Sequence, residues 1–364
     1  MGIIRFLLAI SVVIAHTSSL YGFRLVGGQI AVQAFYMISG FYMTLILNEK
    51  YIGTNNSYKL FITNRLLRLY PIYWTVLIIT TLLSVGVFVF SSGQSLGRLQ
   101  PYYDNINIMD MKSLFFLVFS NITMLFQDIV MFLGLDTASG NLYFTENFRQ
   151  TAPQLWTFLL VPQAWTIGIE ITFYLIAPFI VRKKIKFIVF LLLISLLLRI
   201  FLYQNGMKHD PWTYRFFPTE LLFFLFGTIA YHMYKKLDKL NFKESYLKTI
   251  YGLILVFTLS YSFFYIPYKM YAYFLIFFLS IPFVFILSKK WTKDRYIGEL
   301  SYPIYISHML ILMLVSYLKI PTIGSIGLVT IILTTLFSVL LNEVITKRIE
   351  RIRQNRVKPT ANNV

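Results

Sequence analysis

The sequence predicts an all-α polytopic membrane protein of about ten transmembrane helices, and three observations predict it. Of 364 residues, 57% are hydrophobic and 13% charged, where a soluble domain carries about 45–50% and about 25%. Mean hydropathy is +0.66. Apolar runs of membrane length alternate with short basic clusters. This composition excludes intrinsic disorder, a collagen or coiled-coil rod and a disulfide scaffold. With no Cys, structural disulfides, thiolate metal sites and thiol catalysis are excluded as well. The net charge of +18 would suit nucleic acid on a soluble domain. Here the cations lie between apolar runs, so the expected partner is the lipid bilayer, with no nucleic acid.

A helix needs about 20 apolar residues to cross the hydrocarbon. The runs that qualify are Ile3–Leu20, Gly28–Asn48, Tyr70–Phe90, Gln163–Val181, Ile185–Tyr203, Phe216–Tyr234, Thr249–Ile266, Met270–Ser288, Ile297–Tyr317 and Thr322–Thr346. The segment Lys112–Leu135 is apolar but interrupted by Asn121, Gln127 and Asp128. With ten crossings and a cytoplasmic N-terminus, 24 Lys and Arg fall inside, 8 outside and Arg199 within a span. An eleventh crossing at Lys112–Leu135 would move Arg182-Lys183-Lys184 outside, against the positive-inside rule. That segment is therefore expected to be re-entrant or interfacial, within a long outer loop from about Ser91 to Pro162, with both termini cytoplasmic. The first span has the basic residue and small-residue end of a signal peptide. A second span follows at once, which favours an uncleaved helix. The expected organisation is one membrane-embedded domain over residues 1–350 and a basic cytoplasmic tail over 351–364.

Ionisable groups inside spans are costly and mark function by default. They are His16, Glu170, Arg199, Glu220, Glu299, His308 and Glu343. Arg199 and Glu343 lie toward span ends and suit snorkelling. Glu299 begins its span and suits a helix cap or an ion pair. His308 suits either packing or function, and Glu220 suits an ion pair with Arg215 five positions earlier or a functional role. His16 and Glu170 sit at comparable depths from the outer ends of their spans, and a His beside a carboxylate suits general-base catalysis. Arg5 and His16 are eleven positions apart, close to three helical turns, so they share one face about 16 Å apart. Arg65 and Arg68 lie near the same cytoplasmic interface as Arg5. Forked guanidinium donors suit phosphate oxygens, and an extended pantetheine arm would span the distance from Arg5 to His16.

With those residues in view, the chain resembles the acyltransferase-3 family of integral membrane acyltransferases over most of its length. The matching blocks are Arg5-Phe6-Leu7-Leu8-Ala9 with His16, FYMISGFYM at Phe35–Met43, FITNRLLRLYPIYW at Phe61–Trp74 and AWTIGIEITFYLIAP at Ala164–Pro178. Weaker echoes are RFFPTELLFFLFG at Arg215–Gly227 and SYPIYISH at Ser301–His308. Gln33 follows Val32 where the family usually has Asp, Thr166 stands where Ser is common, and no esterase-type domain is fused. The resemblance implies transfer of an acyl group, most often acetyl, from cytosolic acetyl-CoA to a hydroxyl of an extracytoplasmic or lipid-linked carbohydrate, in the plasma membrane of a bacterial cell. It implies a catalytic role for His16, to which the depth argument adds Glu170, and donor binding by Arg5, Arg65 and Arg68. Ser39, Trp165, Tyr174, Glu220 and His308 within the blocks are the substrate-binding candidates.

A sugar hydroxyl is a poor nucleophile at neutral pH and gains from a positioned base. Neutral His16 suits that role, with Glu170 fixing its tautomer or stabilising the imidazolium. Trp156 and Trp165 in or beside the outer loop suit either a sugar-stacking platform or the aromatic belt of an interface. The soluble glycerolipid-acyltransferase motif is missing, since no Asp follows His16 five residues on, and Ser39 lacks the glycine two positions earlier of a nucleophile elbow. Four widely spaced His without Cys predict no metal site. A transporter of a lipid-linked sugar or small solute is the competing class, because intramembrane His and Glu also serve proton relays. It predicts inverted repeats with broken helices, and none is evident.

Overall fold

In the computed structural model, residues 1–17, 19, 22–52, 57–321 and 325–357 are described. The expected span end at Leu20, span start at Thr322 and tail residues 358–364 lie outside them. In chain order the helices are α1 (Gly2–His16), α2 (Gly28–Glu49), α3 (Tyr58–Phe90), α4 (Gln100–Asn105) and α5 (Met111–Thr123). A two-stranded antiparallel hairpin follows, β1 (Leu133–Leu135) with β2 (Leu142–Phe144), in register Gly134 opposite Tyr143. Then come α6 (Trp165–Ile180), α7 (Ile185–Gln204), α8 (Phe217–Leu237), α9 (Glu244–Ser260) and α10 (Lys269–Ser288). The last are α11 (Thr292–Glu299), α12 (Ser301–Tyr317), α13 (Ile326–Leu341), one π-turn (Asn342–Thr346) and α14 (Lys347–Asn355).

Among the described residues, eight helical segments are long and apolar enough to cross a membrane. The other two expected spans correspond to α1, of 15 residues, and α8, whose 21 residues include Glu220, Lys235 and Lys236. The protein is an all-α multi-pass membrane protein. Within 112–135 the longest helix is the 13-residue α5, about 20 Å long and too short to cross, followed by a 3-10 turn and β1.

The chain divides into two compact units, Met1–Leu69 with Phe173–Leu196 and Leu221 onward, and Tyr70–Thr172 with Leu197–Glu220. In the first, α1 is packed by α2, α11, α12 and α13. Its apolar face, Ala9, Ile10, Val13 and Ile14, forms a core with Leu25, Leu300 and Ile304. The α1 start has no side-chain cap of its own. Its orphan amides are taken instead by the Asp294 carboxylate of α11, which accepts from Gly2 N (2.6 Å) and Ile3 N (2.9 Å). Gly2 fits because a Cβ there would lie 1.5 Å from the Asp294 carbonyl oxygen. Residues 351–357 of the expected tail are helical to Asn355, and Arg353 is buried against α3 through a 2.8 Å bond to Asn64 O.

In the second unit, the three last carbonyls of α5 are capped from α3. Tyr70 and Tyr73 donate their hydroxyls to Thr123 O and Asn121 O, and Trp74 Nε1 donates to Ile122 O at 2.9 Å. The polar residues that interrupt the 112–135 run are part of this joint. Asn121 Nδ2 donates to Tyr102 Oη, Leu117 O and Phe158 O, each at 3.0 Å, and Gln127 Nε2 reaches Tyr73 Oη at 3.1 Å.

Burial pushes the Asp128 carboxyl up to about 6. Because the folded value exceeds that of the unfolded chain, the neutral acid favours the fold. Its contribution is fully present below about pH 4 and is lost as pH rises to about 6. The difference amounts to about 3 kcal/mol above that window. Asp128→Asn is therefore expected to raise the thermal midpoint at pH 7.5 more than at pH 4 in matched melts. A shift equal at both pH values would contradict this.

The structure corrects one expected pairing and one expected snorkelling residue. Glu220 does not pair with Arg215, nor does Arg199 snorkel. Arg199 Nη1 lies 3.0 Å from Glu220 Oε1, with Glu220 fully buried, and Nη2 donates to Thr213 O at 2.7 Å. Arg215 instead binds Asp210 at 2.6 Å. Arg215 lies in the turn that precedes α8 and Glu220 lies on the helix itself, so their nearness in sequence did not bring the side chains together. Glu220→Ala removes the carboxylate from a half-buried cation that keeps its bond to Thr213 O, and is expected to cost about 3 kcal/mol, the lower end for a broken buried pair. Arg199→Leu combined with Glu220→Leu should recover most of it. A double variant as unstable as Glu220→Ala in thermal melts would refute the pairing energetics.

Candidate active site

Helix α1 carries a candidate binding residue in its first turn and a candidate base in its last. At its start, Arg5 lines a cavity of about 330 Å³ together with Arg65 and Arg68 of α3, Tyr42 of α2, Glu299 of α11 and Arg353 of α14. The three arginines expected from sequence to share a site are thus brought together. Arg65 is 5% exposed, and its Nε has no hydrogen-bond partner among the described residues. Arg68 makes no hydrogen bond or ion pair among them either. A guanidinium edge that is out of water and unsatisfied is costly unless an anion meets it; Arg65 Nε is such an edge, while Arg68 is half-buried. Seven Lys and Arg side chains against three carboxylates line this cavity, an excess of positive charge suited to a ligand with several phosphate charges.

At the other end of α1, His16 is exposed and its Nδ1 lies 2.9 Å from Val12 O. A carbonyl only accepts, so the proton sits on Nδ1 and the basic lone pair on Nε2. His308 of α12 is fully buried, with its ring centroid 5.0 Å from that of His16 and the planes at 46°. His308 Nδ1 is likewise held by a carbonyl, Tyr305 O at 2.7 Å. Its Nε2 has no hydrogen-bond partner among the described residues. The ring neighbour of His16 is thus a second histidine 292 positions away, which no local sequence pattern announces.

Ser39 lies buried on α2 and Tyr174 buried on α6. Glu170, also on α6, is half-buried and belongs to the second unit. Trp165 opens α6 at 5% exposure, with the Arg215 guanidinium 4.2 Å over its ring and Tyr214 edge-on at 4.8 Å. One indole face is therefore already covered by a cation. Trp156 donates to Gln154 Oε1 at 2.7 Å. Gln33, where the family usually has Asp, is fully buried in α2.

Sequence reasoning missed Arg353 and the acidic wall of the cavity. The basic run from Lys347 reads as a topology signal, and only the fold brings Glu299, Glu350 and Arg353 beside Arg5.

Many apolar helices, a cavity lined mostly by basic side chains at one end of α1 and a histidine at its other end are the features with which the comparisons agree. Residues 1–343 match the acyltransferase-3 family, described as an acyltransferase domain. The chain belongs to that family and is an acyltransferase. An uncharacterized protein of Aquifex aeolicus (strain VF5) is 28% identical over 218 residues, covering 56% of this chain and 93% of that protein. No solved structure matches the chain.

Proposed function

We propose that this acyltransferase moves an acetyl group from cytosolic acetyl-CoA to a hydroxyl of an extracytoplasmic or lipid-linked carbohydrate, with His16 as general base. The observation that carries the proposal is the arrangement on α1, Arg5 in the arginine cavity and His16 three turns away with its basic nitrogen set as Nε2. The interval of about 16 Å suits a donor whose phosphates and thioester are joined by an extended arm. Arg5, Arg65 and Arg68 bind the donor phosphates. The acceptor oxygen attacks the thioester carbonyl as His16 Nε2 takes its proton. The tetrahedral intermediate then collapses, the C–S bond breaks, and the thiolate recovers the proton from the imidazolium. Glu170 is the second catalytic side chain, and Ser39, Trp165, Tyr174, Glu220 and His308 serve the acceptor side. No metal takes part. The membrane is a bacterial plasma membrane, with the cavity on its basic, cytoplasmic side.

The test compares surface glycans of cells with and without the protein, with ester-linked acetyl quantified by NMR before and after mild base. Loss of a base-labile acetyl signal in the deficient cells is the expected result and names the acceptor. Equal ester content in every glycan fraction would overturn the carbohydrate acceptor.

A further inference from the structure

We infer that helix α14 is part of the donor site, with Arg353 a phosphate ligand of the donor in addition to the three arginines on α1 and α3. The inference rests on the donor reading above and extends it to residues beyond the matched family region, which ends at residue 343. Arg353 lines the same cavity as Arg5, Arg65 and Arg68 and is 8% exposed. It is held in place on two sides: Nε donates to Asn64 O at 2.8 Å, and Nη1 meets the Glu350 carboxylate. Nη2 makes no hydrogen bond among the described residues. The segment is pinned as well by Arg356, whose Nη1 donates to Asn64 Oδ1 (2.9 Å) and Nη2 to Thr63 Oγ1 (2.8 Å). Thr63 and Asn64 directly precede Arg65, so these contacts bring the end of the chain onto the stretch of α3 that carries the buried arginine.

The electrostatics give this arrangement its meaning. Arg353 lies within the field of both Arg65 and Arg68. Like charges gathered at one buried place raise one another's energy unless an anion sits among them. A long basic side chain at a helix end would ordinarily extend to water. Arg353 is instead fixed toward two other guanidinium groups. Glu350 is then a placeholder: it neutralises Arg353 while the cavity is empty and competes with an incoming phosphate for Nη1.

That competition separates a ligand-binding role from a purely structural one. If Arg353 only ties α14 to α3, removing the Glu350 charge loosens the tie and leaves donor affinity equal or lower. If Arg353 binds phosphate, removing that charge frees Nη1 and makes the cavity more positive, so affinity rises. The experiment titrates CoA into the full-length protein in lipid nanodiscs, comparing the unaltered chain with Glu350→Gln, Arg353→Lys and Arg353→Gln. Expected are a Kd about threefold lower for Glu350→Gln and about tenfold or more higher for Arg353→Gln, with Arg353→Lys between the unaltered chain and Gln. Should Arg353→Gln fail to fold, Glu350→Gln decides alone. A Kd unchanged or raised in Glu350→Gln overturns the inference and leaves the donor reading standing. No CoA binding by the unaltered protein overturns the donor reading itself, and this inference with it.

Discussion

Replacing His16 by alanine is expected to slow acyl transfer about 10²–10⁴-fold, the usual contribution of a positioned general base, while CoA affinity changes by less than about twofold. The two expectations separate because the functions sit at opposite ends of α1. The arginine cavity includes Arg5 but not His16, and the intervening turns are held by the Ala9, Ile10, Val13 and Ile14 core. The Nδ1 bond to Val12 O is internal to the helix, so that part of the loss stays within α1. The ring contact with His308 is lost, which leaves the buried His308 facing a small void. The measurement is single-turnover transfer from radiolabelled acetyl-CoA to the acceptor, run beside a CoA titration. A His16→Ala protein that transfers at the unaltered rate would remove His16 from the chemistry, whatever the acceptor. Reduced CoA affinity equal to the rate loss would instead make His16 a donor-positioning residue.

Helix identity was legible in this sequence because each span is a long apolar run, a signal that tertiary context seldom overrides in lipid. The convergence of Arg5, Arg65 and Arg68 was legible for a related reason. All three stand close to the ends of apolar runs on one expected side of the membrane, which fixes their depth even when their rotation about each helix is unknown. Rotation and long-range pairing were not legible. His16 and His308 meet through the packing of α1 on α12. Glu220 was read with its sequence neighbour Arg215, whereas the fold pairs it with Arg199 across α7 and α8. Arg353 was read as part of a basic tail because charge at a chain end is usually solvated. Its burial becomes visible only once Asn64 and Glu350 are seen to hold it. Depth along the membrane normal is written in hydropathy, and azimuth is written in side-chain shape.

That distinction bears on the SGF stretch of α2, where the glycine is a packing device. A Cβ added at Gly40 would lie 2.0 Å from Phe224 O of α8, and one added at Gly227 of α8 would lie 1.9 Å from Met37 O of α2. The two helices therefore meet backbone to backbone through reciprocal glycines, as small residues permit in membranes. Around the contact, Tyr36 stacks on Phe224 at 4.6 Å, Phe173 stacks on Phe224 at 4.3 Å, and Thr44 Oγ1 donates to Thr228 Oγ1 at 3.0 Å. Backbone atoms cannot rotate aside as a side chain can, so a methyl group at either position must push α2 and α8 apart and break these contacts together. Gly40→Ala and Gly227→Ala are each expected to cost about 3 kcal/mol, the upper end for overpacking a close-packed core. Because α2 also brings Tyr42 to the donor cavity, CoA affinity should fall with stability. Gly252→Ala is the control: it lies within helix α9 and a Cβ there meets nothing within 4 Å. That change should be neutral or stabilise by up to about 1 kcal/mol through helix propensity. Thermal unfolding of the three variants in nanodiscs decides the matter, and Gly40→Ala melting with Gly252→Ala would mean that α2 and α8 do not approach through these glycines.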